Sequence, residues 1–244
     1  MIAITFALPA ESSDFVRRLE NARPNSREGV ESFRGQLHGR SVAVIHTGVG
    51  RKTCRERLEV LLRRENFEYL ISAGFAGALE KDLRVGHLLV SENFSSPELL
   101  GSPKLNLADE TTFLGRLLTV PRMVESVRDR ESLNKQHGAA AVDMETEIIA
   151  ELCKAHNLPM LSIRAISDTA SEPFPAPANV LFDVAKQRTD FLRLGGYLVT
   201  HPSAFGRLNA FRERVAVARK ALTDALDQIV RADLGGSSAP SLDV

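Results

Sequence analysis

The sequence has no excess of charge of either sign: Lys and Arg number 31 and Asp and Glu number 31, for a formal net charge of +0. Without a global positive field there is nothing to hold a polyanion, so nucleic acid is not an expected partner. Cysteine is nearly absent. Cys54 and Cys153 fall in helix-like segments with no second ligand pair nearby, which argues against a disulfide framework and against a zinc site. No metal and no organic cofactor is expected. The N-terminal run from Met1 to Pro9 lacks a basic leader, and the chain meets Glu11 too early for a signal peptide or a membrane span. These absences point to a reducing cytoplasm.

What the sequence does have is enough apolar content, 43% of 244 residues, to bury a sizeable core in one compact domain. Residues 1–234 read as that domain. Residues 235–244 read as a flexible tail, because Gly235-Gly236-Ser237-Ser238-Ala239-Pro240 offers too little apolar surface to offset the entropy of ordering. Apolar, β-branched runs at Ile2 to Leu8, Val42 to Ile45, Tyr69 to Ala73, Leu88 to Val90, Leu117 to Val120, Ala139 to Met144 and Met160 to Ile166 predict strands. Several are nearly continuous rather than alternating, and helical stretches separate some of them. A mostly parallel, mixed sheet covered on both faces follows, which is a three-layer α/β/α architecture. Ser32 to Leu37 and Ser41 to Ile45 flank His38-Gly39-Arg40 and predict a hairpin. Glu145 to Asn157 gathers Ile148, Ile149, Leu152 and Cys153 on one helical face and stops before Pro159; from Leu208, residues Phe211, Val215, Ala218, Leu222, Leu226 and Ile229 predict a long closing helix. Ser95 to Thr112 reads as a long surface loop of the kind that often covers a site.

Four segments put polar or small residues just after predicted strands, where open α/β sheets bind ligands. Leu8-Pro9-Ala10-Glu11 brings a carboxylate there, although an acid in a helix first turn explains it equally. Thr47-Gly48-Val49-Gly50 and Ser72-Ala73-Gly74-Phe75-Ala76-Gly77 read as glycine turns that either let a backbone approach a ligand or only connect elements. Val142-Asp143-Met144-Glu145 would turn Asp143 and Glu145 to one face if extended, as a clamp for vicinal hydroxyls. Arg164-Ala165-Ile166-Ser167-Asp168-Thr169 places Asp168 after an apolar strand, where desolvation raises a carboxyl pKa toward proton donation; a helix cap is the alternative.

Taken in this order, the motifs resemble the nucleoside phosphorylase and nucleosidase superfamily, particularly its methylthioadenosine/S-adenosylhomocysteine nucleosidase branch. The resemblance implies roles. Asp168 would protonate the departing purine, Glu145 would hold the ribose hydroxyls with Met144 packed on the sugar, and Glu11 would orient the attacking water. It also implies that Asp143, Gly48, Gly50, Ala73, Gly74, Phe75, Ala76, Met123, Val124 and Ser167 surround the substrate. The phosphorylase branch carries a phosphate-binding arginine where Ser72 stands, which favours water over phosphate as co-substrate, while Arg51 beside the first glycine turn keeps the phosphorylase alternative open. Phe75 replaces a small hydroxyl residue, and Leu117 to Val124 lacks an aromatic base stacker; Phe75 and Met123 make the mouth more apolar, a pattern that also looks like the hopanoid-associated adenosylhopane nucleosidase branch. The family implies a homodimer or larger homo-oligomer. A non-catalytic nucleoside-binding protein on the same fold is the remaining alternative.

Overall fold

The structure is a computed structural model that describes residues 1–26, 29–105, 110–172 and 204–235. A ten-stranded mixed sheet runs through it. The strands are β1 (Ile2–Phe6), β2 (Glu20–Pro24), β3 (Ser32–Leu37), β4 (Arg40–His46), β5 (Leu70–Ala78), β6 (Leu88–Ser91), β7 (Thr112–Gly115), β8 (Leu117–Thr119), β9 (Ala141–Asp143) and β10 (Met160–Asp168). Their order is β2-β3-β4-β1-β5-β10-β6-β7, with β9 joining β5 to β8. The central strands β4, β1, β5 and β10 are parallel. All five residues of β1 and all nine of β10 are buried, as strands covered on both faces require.

Helices α1 (Pro9–Val16), α2 (Arg51–Leu62), α3 (Pro97–Leu100), α4 (Val127–His137), α5 (Thr146–Ala155) and α6 (Ala204–Ala232) complete the described elements. Side-chain alternation along β1 divides the core. Ile2, Ile4 and Phe6 pack with Phe15 of α1 and with Ala218, Leu222, Leu226 and Ile229 of α6, whereas Ala3 packs with Cys54 and Leu58 of α2 and Ile148, Ile149, Leu152 and Cys153 of α5. Two helical layers thus enclose the sheet, and both cysteines are free and buried. Among the described residues no helix is long and apolar enough to cross a membrane.

The β3–β4 hairpin is antiparallel, and its two turn residues, His38 and Gly39, have φ of 51° and 75°. Two positive φ values define the turn type that matches strand twist. Elsewhere the sequence reading needs correction. Gly74 to Gly77 is not a turn; β5 continues through it to Ala78, because small residues there let buried side chains from other elements approach the strand. The described part of Ser95 to Thr112 is not a plain surface loop. It contains α3, with Leu99 buried, and the Ser95 and Ser96 hydroxyls accept N–H bonds of 2.9 Å from Ser162 and Met160. That is the start of β10, the end away from Asp168. β2, β7 and α4 were not expected. The tail from residue 236 onward lies outside the described residues.

Candidate active site

The strands β1, β5, β9 and β10 end around a cavity of about 310 Å³. Glu11, Glu145 and Asp168 all line it, with Val49, Phe75, Ala76 and Gly77 from the glycine-bearing segments and Met123, Val124, Asp143, Met144 and Ser167 around them. Gly48, Gly50, Ala73 and Gly74, expected around the substrate, are not among the lining residues.

Glu11 sits in the first turn of α1 and is buried. Its Oε2 accepts the Leu8 N–H at 2.9 Å and its Oε1 accepts the Phe75 N–H at 3.1 Å. A Cβ at position 74 would lie 3.2 Å from Oε1, so Gly74 gives the carboxylate room. Burial pushes the Glu11 pKa up, and the two N–H bonds and Arg164 oppose the rise.

Asp143 and Glu145 do not share a face. Asp143 ends β9, but Glu145 occupies the N-cap position of α5 with φ −130° and ψ −21°, which breaks the extended alternation. The Asp143 carboxylate is committed to structure. Oδ1 accepts from the Thr119 hydroxyl at 2.7 Å, and Oδ2 accepts from the Thr146 N–H at 3.1 Å, the Thr146 hydroxyl and Arg164 Nε at 3.1 Å. Arg164 in turn donates to the Ser72 carbonyl and hydroxyl at 2.6 and 2.9 Å. The Glu145 carboxylate, by contrast, accepts one bond among the described residues, from the Gly50 N–H to Oε1 at 2.8 Å. Gly50 therefore acts through Glu145. Burial, reinforced by the Asp143 charge, pushes the Glu145 pKa up to about 8.

Asp168 lies where β10 departs from regular pairing: Ile166 faces Ala76 but Asp168 faces Gly77, with Ser167 as the extra residue. A bulge of this kind re-aims the side chain that follows it. The Ser167 hydroxyl donates to Oδ1 at 2.7 Å, and Arg130 of α4 donates to Oδ2. Burial raises the Asp168 pKa, and the Arg130 guanidinium holds it back. Arg51 takes no part: it pairs with Glu147 at 2.6 Å and Glu151 at 2.5 Å and lies outside the cavity lining.

Sequence reasoning missed Arg130, Val120, and the two α6 residues Phe211 and Val215, which close the cavity from a distant part of the chain. The 3.6-residue spacing identified Phe211 and Val215 as one helix face, without indicating that this face reaches the site. Among the described residues no group of three or more His, Cys, Asp and Glu side chains is placed to hold a metal ion. The site's chemistry is that of protonatable carboxyls in an apolar chamber. Burial disfavours their negative charge, and a cation formed between them would restore it.

A mixed sheet with carboxyls gathered at its strand ends, between two helical layers, is the nucleoside phosphorylase and nucleosidase fold. The chain belongs to the phosphorylase superfamily, whose family model matches residues 1–103 and 104–195. A 5′-methylthioadenosine/S-adenosylhomocysteine nucleosidase from Staphylococcus haemolyticus is 26% identical over 199 residues, 70% of this chain and 87% of that protein. The fold is similar to that of a nucleosidase of the same description from S. pneumoniae, solved with a transition-state inhibitor (TM-score 0.72, 20% identity, 95% of this chain and 98% of that one). It is also similar to futalosine hydrolase of Helicobacter pylori (TM-score 0.70, 17% identity, 94% of this chain and 96% of that one).

Proposed function

We propose that this protein hydrolyses the N-glycosidic bond of an adenosine-type purine nucleoside. The observation that carries the reading is the convergence of Glu11, Glu145 and Asp168 on one largely apolar cavity. Asp168 protonates the departing base, Glu145 binds the ribose hydroxyls, and Glu11 orients water and faces the oxocarbenium-like sugar. Met144 and Phe75 pack on the nucleoside, and Met123 and Val124 border the base. Val49, Ala76 and Ser167 complete the wall. Gly50 and Gly74 act through Glu145 and Glu11, and Asp143 holds Arg164 rather than a ribose hydroxyl.

Water is the co-substrate. A phosphate dianion calls for an arginine fork, but Ser72 stands where that arginine would be, with its hydroxyl bound to Arg164, and Arg51 is paired with two glutamates outside the cavity. Of the two arginines that line the cavity among the described residues, Arg130 is committed to Asp168, and Arg122 is the other. The same reading takes residues 1–234 as one domain of a cytoplasmic homodimer or larger homo-oligomer, and sedimentation tests the assembly. The decisive assay is adenine release from methylthioadenosine with and without inorganic phosphate. Equal rates are expected; strict dependence on phosphate would make the protein a phosphorylase, and binding without release would make it a nucleoside-binding protein.

A further inference from the structure

Arg130 is the sole buried residue of α4, at 1% exposure. A buried guanidinium has five N–H donors to satisfy, and here each has an acceptor. Nε and Nη2 donate to the Val124 carbonyl at 3.2 and 3.1 Å, Nη1 donates to the Ala78 and Thr169 carbonyls at 3.1 and 3.2 Å, and Nη2 also donates to Asp168 Oδ2. No donor is left for a substrate. The side chain fastens together the ends of β5 and β10 and the segment that carries Met123 and Val124. Gly77 is shaped to the pair: a Cβ there would lie 2.8 Å from Arg130 Nη1 and 2.9 Å from Asp168 Oδ2.

We propose that Arg130 is a positioning residue that sets the acidity of Asp168 and selects which oxygen serves the leaving base. Oδ2 is locked to the guanidinium, so Oδ1, bound among the described residues to the Ser167 hydroxyl alone, carries the proton. The inference rests on Asp168 being the proton donor. In the step, the Oδ1–H bond breaks and a bond from that hydrogen to a base nitrogen forms. The electron pair of the glycosidic bond leaves with the base, and water adds to the ribosyl cation as Glu11 takes its proton. The carboxylate left on Asp168 is neutralised by Arg130, which makes the transfer easier than from an unpaired buried carboxyl. Among the described residues the charged groups that bear on the Asp168 carboxyl are Arg130 from α4 and Arg214 from α6, while Glu11, Asp143, Glu145 and Arg122 line the same cavity. Arg214 is engaged by Glu172 at 2.9 Å, which leaves Arg130 as the direct counter-ion.

The test is a titration of the side-chain carboxyls by carbon-13 NMR in the empty protein, with the Asp168 signal identified by its loss in Asp168→Asn. Arg130→Gln keeps a hydrogen-bond donor without the charge, and the Asp168 midpoint should rise by about 1–3 pH units. Arg130→Lys should bring it back toward the parent value. An unchanged midpoint in Arg130→Gln overturns the proposal. Should Arg130→Gln fail to fold, adding Asp168→Asn must restore folding, because the defect is then an uncompensated buried carboxylate; a double variant that stays unfolded also overturns it. Turnover separates the role of Asp168 from that of Arg130. If Asp168→Asn remains active, the proton-donor reading itself fails; if it is inactive while the Arg130→Gln midpoint is unmoved, only the role of Arg130 fails.

Discussion

An asparagine at position 168 keeps the shape of the side chain and an acceptor oxygen for Arg130, but it holds no proton that it can release to a leaving base. Asp168→Asn should therefore lower kcat by about 100-fold to 10,000-fold with little change in KM. Steady-state kinetics on methylthioadenosine checks this, and near-parent kcat would reduce Asp168 to a structural role. Glu145 meets the substrate differently. In the proposed role its bonds to ribose hydroxyls would exist in the ground state and strengthen as the sugar becomes cationic, so Glu145→Gln should raise KM and lower kcat together. The contrast with Asp143, two positions earlier, comes from the backbone. Asp143 is bound to Thr119, Thr146 and Arg164, so Asp143→Asn should act mainly on stability: removing one partner of the buried ion pair strands Arg164, at a cost of about 3–5 kcal/mol. Denaturant unfolding measures that cost.

The site depends on how two elements meet. At the end of β10 the bulge places Asp168 opposite Gly77, and at the end of β5 the absent side chain of Gly77 leaves space for the Arg130–Asp168 pair. Gly77→Ala should part that pair and reduce kcat more than Gly74→Ala, whose Cβ would meet the Glu11 carboxylate at 3.2 Å and Arg164 at 3.9 Å, both looser than the 2.8 and 2.9 Å contacts at Gly77. Equal losses in the two variants would show that the space at Gly77 is not reserved for the pair. These glycines were visible in the sequence, but their place within β5 was not: glycine ordinarily breaks a strand, and only the close approach of Arg130 and Glu11 explains why it is retained in one. Helix α4 was hidden for a related reason. It has a Ser126 cap and a left-handed Gly138 at its end, yet it lacks an apolar stripe, because the one side chain it buries is an arginine.

For the molecule as a whole, Glu11, Glu145 and Asp168 all have pKa values raised in the folded state. Through these carboxyls the folded protein binds more protons than the unfolded chain up to the value of about 8 for Glu145; His46, lowered by burial from 6.5, works the other way below that value, so the carboxyls alone set the sign between 6.5 and about 8. Stability should fall as pH rises through that window, by at most about 1.4 kcal/mol per pH unit for each such group. Thermal unfolding at a series of pH values tests the sign. Glu145→Gln should flatten the dependence, and a parent protein that grows more stable from pH 7 to pH 8, above the His46 range, would contradict the placement of these carboxyls in a desolvated cavity.

Local patterning was enough to determine the layered α/β class, the β3–β4 hairpin, α5 and the face of α6, because hydrophobic period and turn chemistry are properties of neighbouring residues. It also brought forward Glu11, Glu145 and Asp168 as polar groups at strand ends. Only the tertiary structure decided which carboxylates remain available. Asp143 is bound to an arginine 21 positions later and Asp168 to one 38 positions earlier, and α6 closes the cavity with Phe211 and Val215. Burial and ion pairing are set by groups distant in the chain, so the acidity of each carboxyl, and with it its role, is not contained in any local stretch of the sequence.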